Sequence, residues 1–251
     1  MDQFKNAEAS HQHSLRTLTA LYEYDDFMDS LSIVADMGSG SGLDIEWWAT
    51  RETRDDTPEP HNYLCYAVDI NQNIVEDRVR DLENVKVITG SFEERRTPRT
   101  VDLIWCHDAF QYAKNPLQTL KVWNETMNTD GMMVITVPQF QSYQYNRMVT
   151  RSVNGCFFHY NACNLIYMLA VNGFDCRDSY LLKEANDPWL SVAVYKSKVP
   201  PMDPSTTSWH DLAAAGLLNP SVMDSLNKYG HVRQEELIFK WFDKDFYFVK
   251  D

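Results

Sequence analysis

The chain has 251 residues, 44% of them apolar, and its 23 basic against 36 acidic side chains leave a formal charge of −13. That is enough apolar material for a sizeable core in one α/β domain with additions, and it excludes disordered and collagen-like chains. An isoelectric point near 4.9 argues against a general nucleic-acid surface, whose affinity comes from Lys and Arg displacing counterions.

From Ser10 to Leu31 the apolar residues Leu15, Leu18, Leu21, Tyr22, Phe27 and Met28 recur at helical spacing, with Ser10 or Ser14 as a cap. Ile33-Val34-Ala35 then reads as a buried strand that runs into Asp36 and the glycines at 38, 40 and 42. Helical periodicity returns after Gly42, and the polar, proline-bearing stretch from Thr53 to Asn62 reads as a surface loop. Tyr63 to Ile70 is a second strand, Asn71 to Leu82 a helix, and Val85 to Ile88 a third strand that ends at Thr89-Gly90-Ser91.

Strand Val101 to Cys106, helix Pro116 to Met127 and strand Met132 to Val137 follow, the last stopped by Pro138. This alternation predicts a parallel sheet with helices on both faces. Asn161 to Asn172 is a helix closed by Gly173, and strands Phe174 to Lys183 and Trp189 to Lys196 are joined by a turn containing Asn186-Asp187-Pro188, short enough to make them antiparallel. The expected fold is therefore a seven-stranded, mostly parallel sheet with one antiparallel strand. Beyond Pro200-Pro201-Met202-Asp203-Pro204 the character changes: Ser208 with Asp211 caps one helix, Ser221 to Tyr229 forms another, and Phe239, Trp241, Phe242, Phe246, Tyr247 and Phe248 crowd the end. The reading is a helical appendage packed on the main body.

No stretch approaches the roughly 18 apolar residues of a membrane span, and residues 1–10 lack the apolar core of a signal peptide. The five cysteines, Cys65, Cys106, Cys156, Cys163 and Cys176, are odd in number and scattered, as expected of reduced thiols in the cytoplasm. Cys156, His159 and Cys163 have a spacing that could hold zinc, but a convincing fourth ligand is missing, so no metal is expected.

The strongest chemical signal is Asp36-Met37-Gly38-Ser39-Gly40-Ser41-Gly42 between a strand and a helix. Glycines there let the backbone turn sharply and approach a ligand, and a helix start offers unpaired N–H groups to an anionic or zwitterionic partner. The nicotinamide pattern G-x-G-x-x-G fails, because the sixth position from Gly38 is Leu43.

This D-x-G-x-G-x-G loop, with Asp69 ending the second strand, the stretch Val101 to Pro116 and the strand Gly131 to Pro138, resembles the class I S-adenosylmethionine-dependent methyltransferases over roughly residues 30 to 197. The resemblance implies a Rossmann-like domain at 1–198 that includes the N-terminal helix, followed by a helical, aromatic-rich extension at 199–251. It also implies that Gly38, Ser39, Gly40 and Gly42 cradle the methionine part of S-adenosylmethionine and that Asp36 anchors the loop or the amino group. Asp69 would hold the ribose hydroxyls, Ile70 would pack on the adenine, and Cys106 and His107 would lie beside the sulfonium. The family often has Gly-Asp after the third strand; Gly90-Ser91 stands here, which leaves Ser91 or Phe92 for the adenine amino group.

The reaction implied is in-line methyl transfer to a small-molecule or protein acceptor, with S-adenosylhomocysteine as product. An activated electrophile needs positioning more than covalent catalysis. Where a base is needed, His107 and Asp108 stand at a strand's carboxyl end, where open α/β sheets bind ligands. Tyr143, Tyr145 and His159 form a second acceptor-side set, while Gln111-Tyr112 replaces the histidine pair or Glu-His that relatives commonly carry. The alternative is a catalytically inactive cofactor-binding module whose aromatic tail recruits a partner. No N/D-P-P-Y-like motif points to a nucleic-acid acceptor. Oligomeric state is left open by the sequence.

Overall fold

The computed structural model describes residues 2–24, 28, 30–51, 63–94, 96–138, 158–182, 189–241 and 244–247. In chain order these form helix α1 (Asp2–Tyr24), strand β1 (Ile33–Met37), α2 (Leu43–Ala49), β2 (Leu64–Asp69), α3 (Asp77–Arg80), β3 (Val85–Thr89), β4 (Val101–His107), α4 (Pro116–Thr126) and β5 (Met127–Pro138). Then come α5 (Ala162–Val171), β6 (Phe174–Leu182), β7 (Trp189–Lys196), α6 (Trp209–Ala214), α7 (Pro220–Tyr229), β8 (Ile238–Trp241) and β9 (Lys244–Tyr247).

The strands make one sheet in the order β3-β2-β1-β4-β5-β7-β6-β8-β9. The first five pair in parallel, and β7 runs antiparallel to both β5 and β6, which is the seven-stranded arrangement expected from the sequence. Side chains alternate across the pleat, so each strand feeds two cores. Ile33, Ala35, Met37, Ile104, Cys106, Met133 and Ile135 face the layer that holds α4 and α5. Val34, Leu103, Trp105, Met132 and Val134 face α1 and α2, where Leu18, Leu21, Ile45 and Trp48 close the second core. Trp48 stands edge-on to both Tyr63 and Trp105.

Three expectations change. Ser10 and Ser14 lie inside α1 and do not cap it. The helix expected over Asn71–Leu82 is broken into a 3-10 turn at Gln72–Ile74 and the single turn α3, because the Asn71 side chain accepts the Asn73 N–H and Val75 and Glu76 are extended. Phe239, Trp241, Phe246 and Tyr247 of the aromatic end lie in strands: after α6 and α7 the chain returns as the antiparallel pair β8–β9, which lengthens the sheet beyond β6, while Phe242 and Phe248 lie outside the described residues. Residues 53–62 and the turn at 186–188 lie outside the described residues.

The helices of the extension start and stop as the sequence expects. Ser208 and Asp211 form a capping box, Asn219 caps α7, and Gly230 ends it. The extension shares the main core through Leu212, Leu217, Leu218, Val222, Leu237 and Phe239. Backbone and side-chain bonds tie it down as well: Cys176 N–H to the Leu217 carbonyl, Tyr167 O–H to the Thr207 carbonyl, and Ala162 N–H to Gln234 Oε1.

The buried Asn124 amide donates to the carbonyls of Asn172 and Gly173 at 2.9 and 3.3 Å, joining α4 to the end of α5. Asn124→Ala takes this donor from the Asn172 carbonyl, while the Gly173 carbonyl keeps the Ser197 N–H, and is expected to cost about 1–3 kcal/mol. A lower urea midpoint at unchanged m-value checks this.

Candidate active site

The strand order reverses direction between β1 and β4, so the carboxyl ends of these strands open a crevice of the kind that holds ligands in α/β sheets. The glycine loop lies on that crevice. Gly38, Gly40 and Gly42 have φ of 90°, 51° and 87°. A Cβ on Gly38 would stand 2.4 Å from the Ala109 Cβ, whereas one on Gly40 would meet nothing within 4 Å. The first glycine is thus required by packing, and the second leaves the loop's backbone open toward the crevice.

Asp69 at the end of β2 organises the loop. One carboxylate oxygen accepts the Gly40 N–H and the other the Asn71 N–H, each at 3.0 Å. Each oxygen retains lone-pair capacity for a further donor. Beside it Ile70 is 73% exposed, an uncovered apolar side chain at the crevice edge. Ser39 Oγ is buried with no hydrogen-bond partner, and a group of this kind is expected to find one.

Asp36 lies beneath the loop, almost fully buried. Burial pushes its carboxyl well above the usual range, and the charges of Asp44 and Asp69 add to this. The Cys106 side chain is enclosed in the core on the α4 side, and its backbone stands near the end of β4. Ser91 Oγ accepts the Glu93 N–H, and the Phe92 ring packs at 5.9 Å from Trp123 and close to Gly38.

His107 points to the opposite face from Cys106, because they are successive residues of one strand. It stacks on Trp105, with ring centroids 6.2 Å apart, and meets helix α1. There His13 Nδ1 lies 3.0 Å from His107 Nε2, and Ser10 Oγ lies 3.5 Å from His107 Nδ1. Ser10 also donates to Asp108 Oδ2 at 3.2 Å, and Gln111 donates to Asp108 Oδ1. Trp189 closes this cluster, 5.7 Å from His107 and 6.1 Å from His13. Sequence reasoning missed Ser10 and His13, since only the placement of α1 brings them to the end of β4.

Asp44 on α2 lies at the rear of the cluster, accepting Trp105 Nε1–H at 2.8 Å and facing His11 Nδ1 at 3.6 Å. Burial alone would push Asp44 up, but the bond from His11, the charge of His107 and the bond from Trp105 outweigh it and hold the carboxyl below its ordinary value. His11 is raised in return, chiefly by its bond to Asp44. Burial, helped by Arg16, lowers His13 to about 4. Burial raises Asp108 to about 7 against the opposing bonds from Gln111 and Ser10. Asp108 also has φ of 53°, an uncommon backbone state for a residue other than glycine.

Of the second acceptor-side set, Tyr143 and Tyr145 lie outside the described residues. His159 is half-buried next to the cluster's outer wall, where Phe158 N–H reaches the Gln111 carbonyl and Tyr160 stacks on Phe110 at 5.3 Å. Cys163, from the spacing that suggested zinc, turns its thiol toward the Val232 carbonyl, and Cys156 is outside the described residues.

Residues 35–135 match the family model described as a methyltransferase domain. No curated protein matches the chain. Among solved structures it resembles the YcgJ protein from Bacillus subtilis at 13% identity, over 75% of this chain and 100% of that one, with a TM-score of 0.56. It resembles N-methyltransferase NodS from Bradyrhizobium japonicum at 11% identity, over 76% and 98%, with a TM-score of 0.53. Phosphoethanolamine N-methyltransferase 2 from Haemonchus contortus, solved with phosphomonomethylethanolamine and S-adenosylhomocysteine, is 14% identical over 67% and 49%, with a TM-score of 0.51. At these identities the likeness establishes the fold.

The cluster's titration should be visible in stability. A carboxyl whose folded value is raised favours the native state below its unfolded value near 3.8 and loses that contribution as pH rises through about 7. Asp108→Asn, which cannot ionise, is therefore expected to gain stability relative to the native chain as pH rises from 4 to 7. Urea unfolding of both proteins across that window checks this, and a constant difference would contradict the burial argument.

Proposed function

We propose that this chain, in which residues 35–135 match a methyltransferase-domain family model, is a class I S-adenosylmethionine-dependent methyltransferase that binds S-adenosylmethionine across the carboxyl ends of β1, β2 and β4 and methylates a small-molecule or protein acceptor. The observation that carries the reading is the glycine loop at the switch point, opened above Gly40 and held in shape by the Asp69 carboxylate. The cofactor supplies a methyl group already activated by a sulfonium.

The residues present fit that group. Gly38, Gly40 and Gly42 give a backbone that a compact zwitterion can approach, with the buried Ser39 hydroxyl as a ready donor. Asp69 offers its remaining lone pairs to the two ribose hydroxyls. Ile70 supplies an exposed apolar surface for a flat aromatic ring, and its covering would remove apolar area from water. Phe92, next to Gly38, forms the inner side of the same slot, with Ser91 at its rim. Asp36, held toward its neutral form, supports the loop from below rather than acting as a free counter-charge.

His107 and Asp108 then face the acceptor, with His159 at the outer wall. The sharing of one core by the body and the extension supports a domain at 1–198 whose function includes 199–251 as a wall instead of a separate module. Cys65, Cys106, Cys163 and Cys176 are free thiols, and among the described residues no helix is long and apolar enough to cross a membrane, in keeping with action in the cytoplasm.

Thermal unfolding with S-adenosylmethionine or S-adenosylhomocysteine at about a hundred times the dissociation constant should show stabilisation of about 2.7 kcal/mol. Gly40→Ala is expected to cost about 1–2 kcal/mol of stability for its left-handed backbone. Its methyl group enters the open space of the loop, so both ligands should bind about tenfold more weakly or worse. Undiminished affinity in this variant would remove the loop from the site.

A further inference from the structure

At the end of the sheet opposite the glycine loop β5 and β6 begin and β7 finishes, with Met132 beside Tyr195 and Phe174 beside Lys196. A cavity of about 510 Å³ lies there, between these strands and Ala215, Gly216 and Leu217 of the extension. This is within the roughly 300–1,000 Å³ of small-molecule sites. Its wall carries Arg177, Lys196 and Lys198 against Asp130 and Asp175, a local excess of positive charge on a chain whose formal charge is −13.

The bonding of these groups leaves the excess uncompensated. Arg177 grips Asp175 through Nε and one Nη at 2.5 to 3.1 Å, so the two cancel in charge, while the other Nη keeps its hydrogens. Half-buried Lys196 donates to the carbonyls of Asn124 and Met127 at 2.7 and 2.9 Å, where α4 ends. An ammonium has a third hydrogen, and among the described residues it meets no acceptor. Glu125, whose charge reaches Lys196, is held in an ion pair by Arg96. Lys198 is exposed and forms no ion pair among the described residues. Capping the negative end of α4 accounts for two of the Lys196 hydrogens; it does not account for the convergence of Lys198 and Arg177 on the same cavity. A partly desolvated cation bonded only to neutral carbonyls is completed by an anion.

We propose that this cavity is a second site, distinct from the cofactor crevice, which takes the oxyanion group of a small molecule, a carboxylate or a phosphate, with Lys196 as the inner donor and Lys198 and Arg177 as the outer ones. The length of β5 separates it from the end of β4, so its occupant is an effector and not the methyl acceptor. Touching both the strands and Ala215 to Leu217, the occupant ties the extension to the body. Asp130 opposes it and sets a limit on its charge. The site stands independently of the cofactor reading.

Amide NMR of the 15N-labelled full chain, titrated with inorganic phosphate and with acetate against chloride at one ionic strength, tests this. Saturable shifts are expected at Ser197, Lys198, Gly216 and Leu217, with a dissociation constant of about 1 mM or below for the better anion, which identifies the group. Lys196→Gln, whose amide can still donate to the end of α4 but carries no charge, should bind about tenfold more weakly or worse. Lys198→Gln and Asp130→Asn change exposed charges, and asparagine shares the left-handed backbone of Asp130, whose φ is 62°. They should move the affinity about twofold or more in opposite directions, the first weaker and the second tighter. No saturable shift with either anion, shifts confined to Gly38–Gly42, or one affinity for the native chain and both exposed variants overturns the proposal. Native affinity in a folded Lys196→Gln does so too, and the other readouts decide the matter if that variant does not fold.

Discussion

The Asp44 carboxylate, where α1, α2 and β4 meet, sets the conditions for everything on that side of the sheet. A buried anion is tolerated only with partners, and Asp44 finds them in Trp105 on the strand and His11 on the helix. This contact and the packing of Leu18 and Leu21 hold α1 against the sheet, where His13 meets His107. Burial first, and the same charge in addition, push Asp36 toward its neutral form, so two carboxyls on one face of the sheet hold different protonation preferences.

The pleat divides the labour. Beyond the irregularity at Val101, alternate positions of β4 deliver Leu103, Trp105 and His107 to the α1 side, while Ile104 and Cys106 are spent on the core beneath α4 and α5. A shift of one residue in the pairing of β4 would exchange these sets and put a cysteine where the histidine stands. Register is therefore as much a functional constraint as a packing one. It is fixed by parallel pairing to β1 at Val34, Ala35 and Asp36 and to β5 from Leu103 onward.

The sheet and the glycine loop were legible because their signals are local. Ile33 to Asp36 followed by spaced glycines, and Tyr63 to Asp69, are short apolar runs ended by an acid, and the alternation of strands with helices prescribes the layers. The histidine pair was not legible. Leu18 and Leu21 give α1 an ordinary apolar stripe, and nothing in the sequence says that the neighbouring stripe with His13 is buried too. The Asn71–Leu82 segment misleads for a different reason: its apolar spacing is helical, but Asn71 competes for the backbone of its own first turn. At the end, clustered aromatics carry no period long enough to tell a helix from a hairpin, and Phe239 is buried while Ile238 is not, the alternation of a strand.

The two added strands also change what the sheet presents at its margins. Without them β6 would be the terminal strand, a nine-residue row of backbone groups open to any extended peptide. With them the margins are the five-residue β3, which carries an exposed Lys86, and the four-residue β9. Short margins offer a foreign strand few backbone groups to pair with.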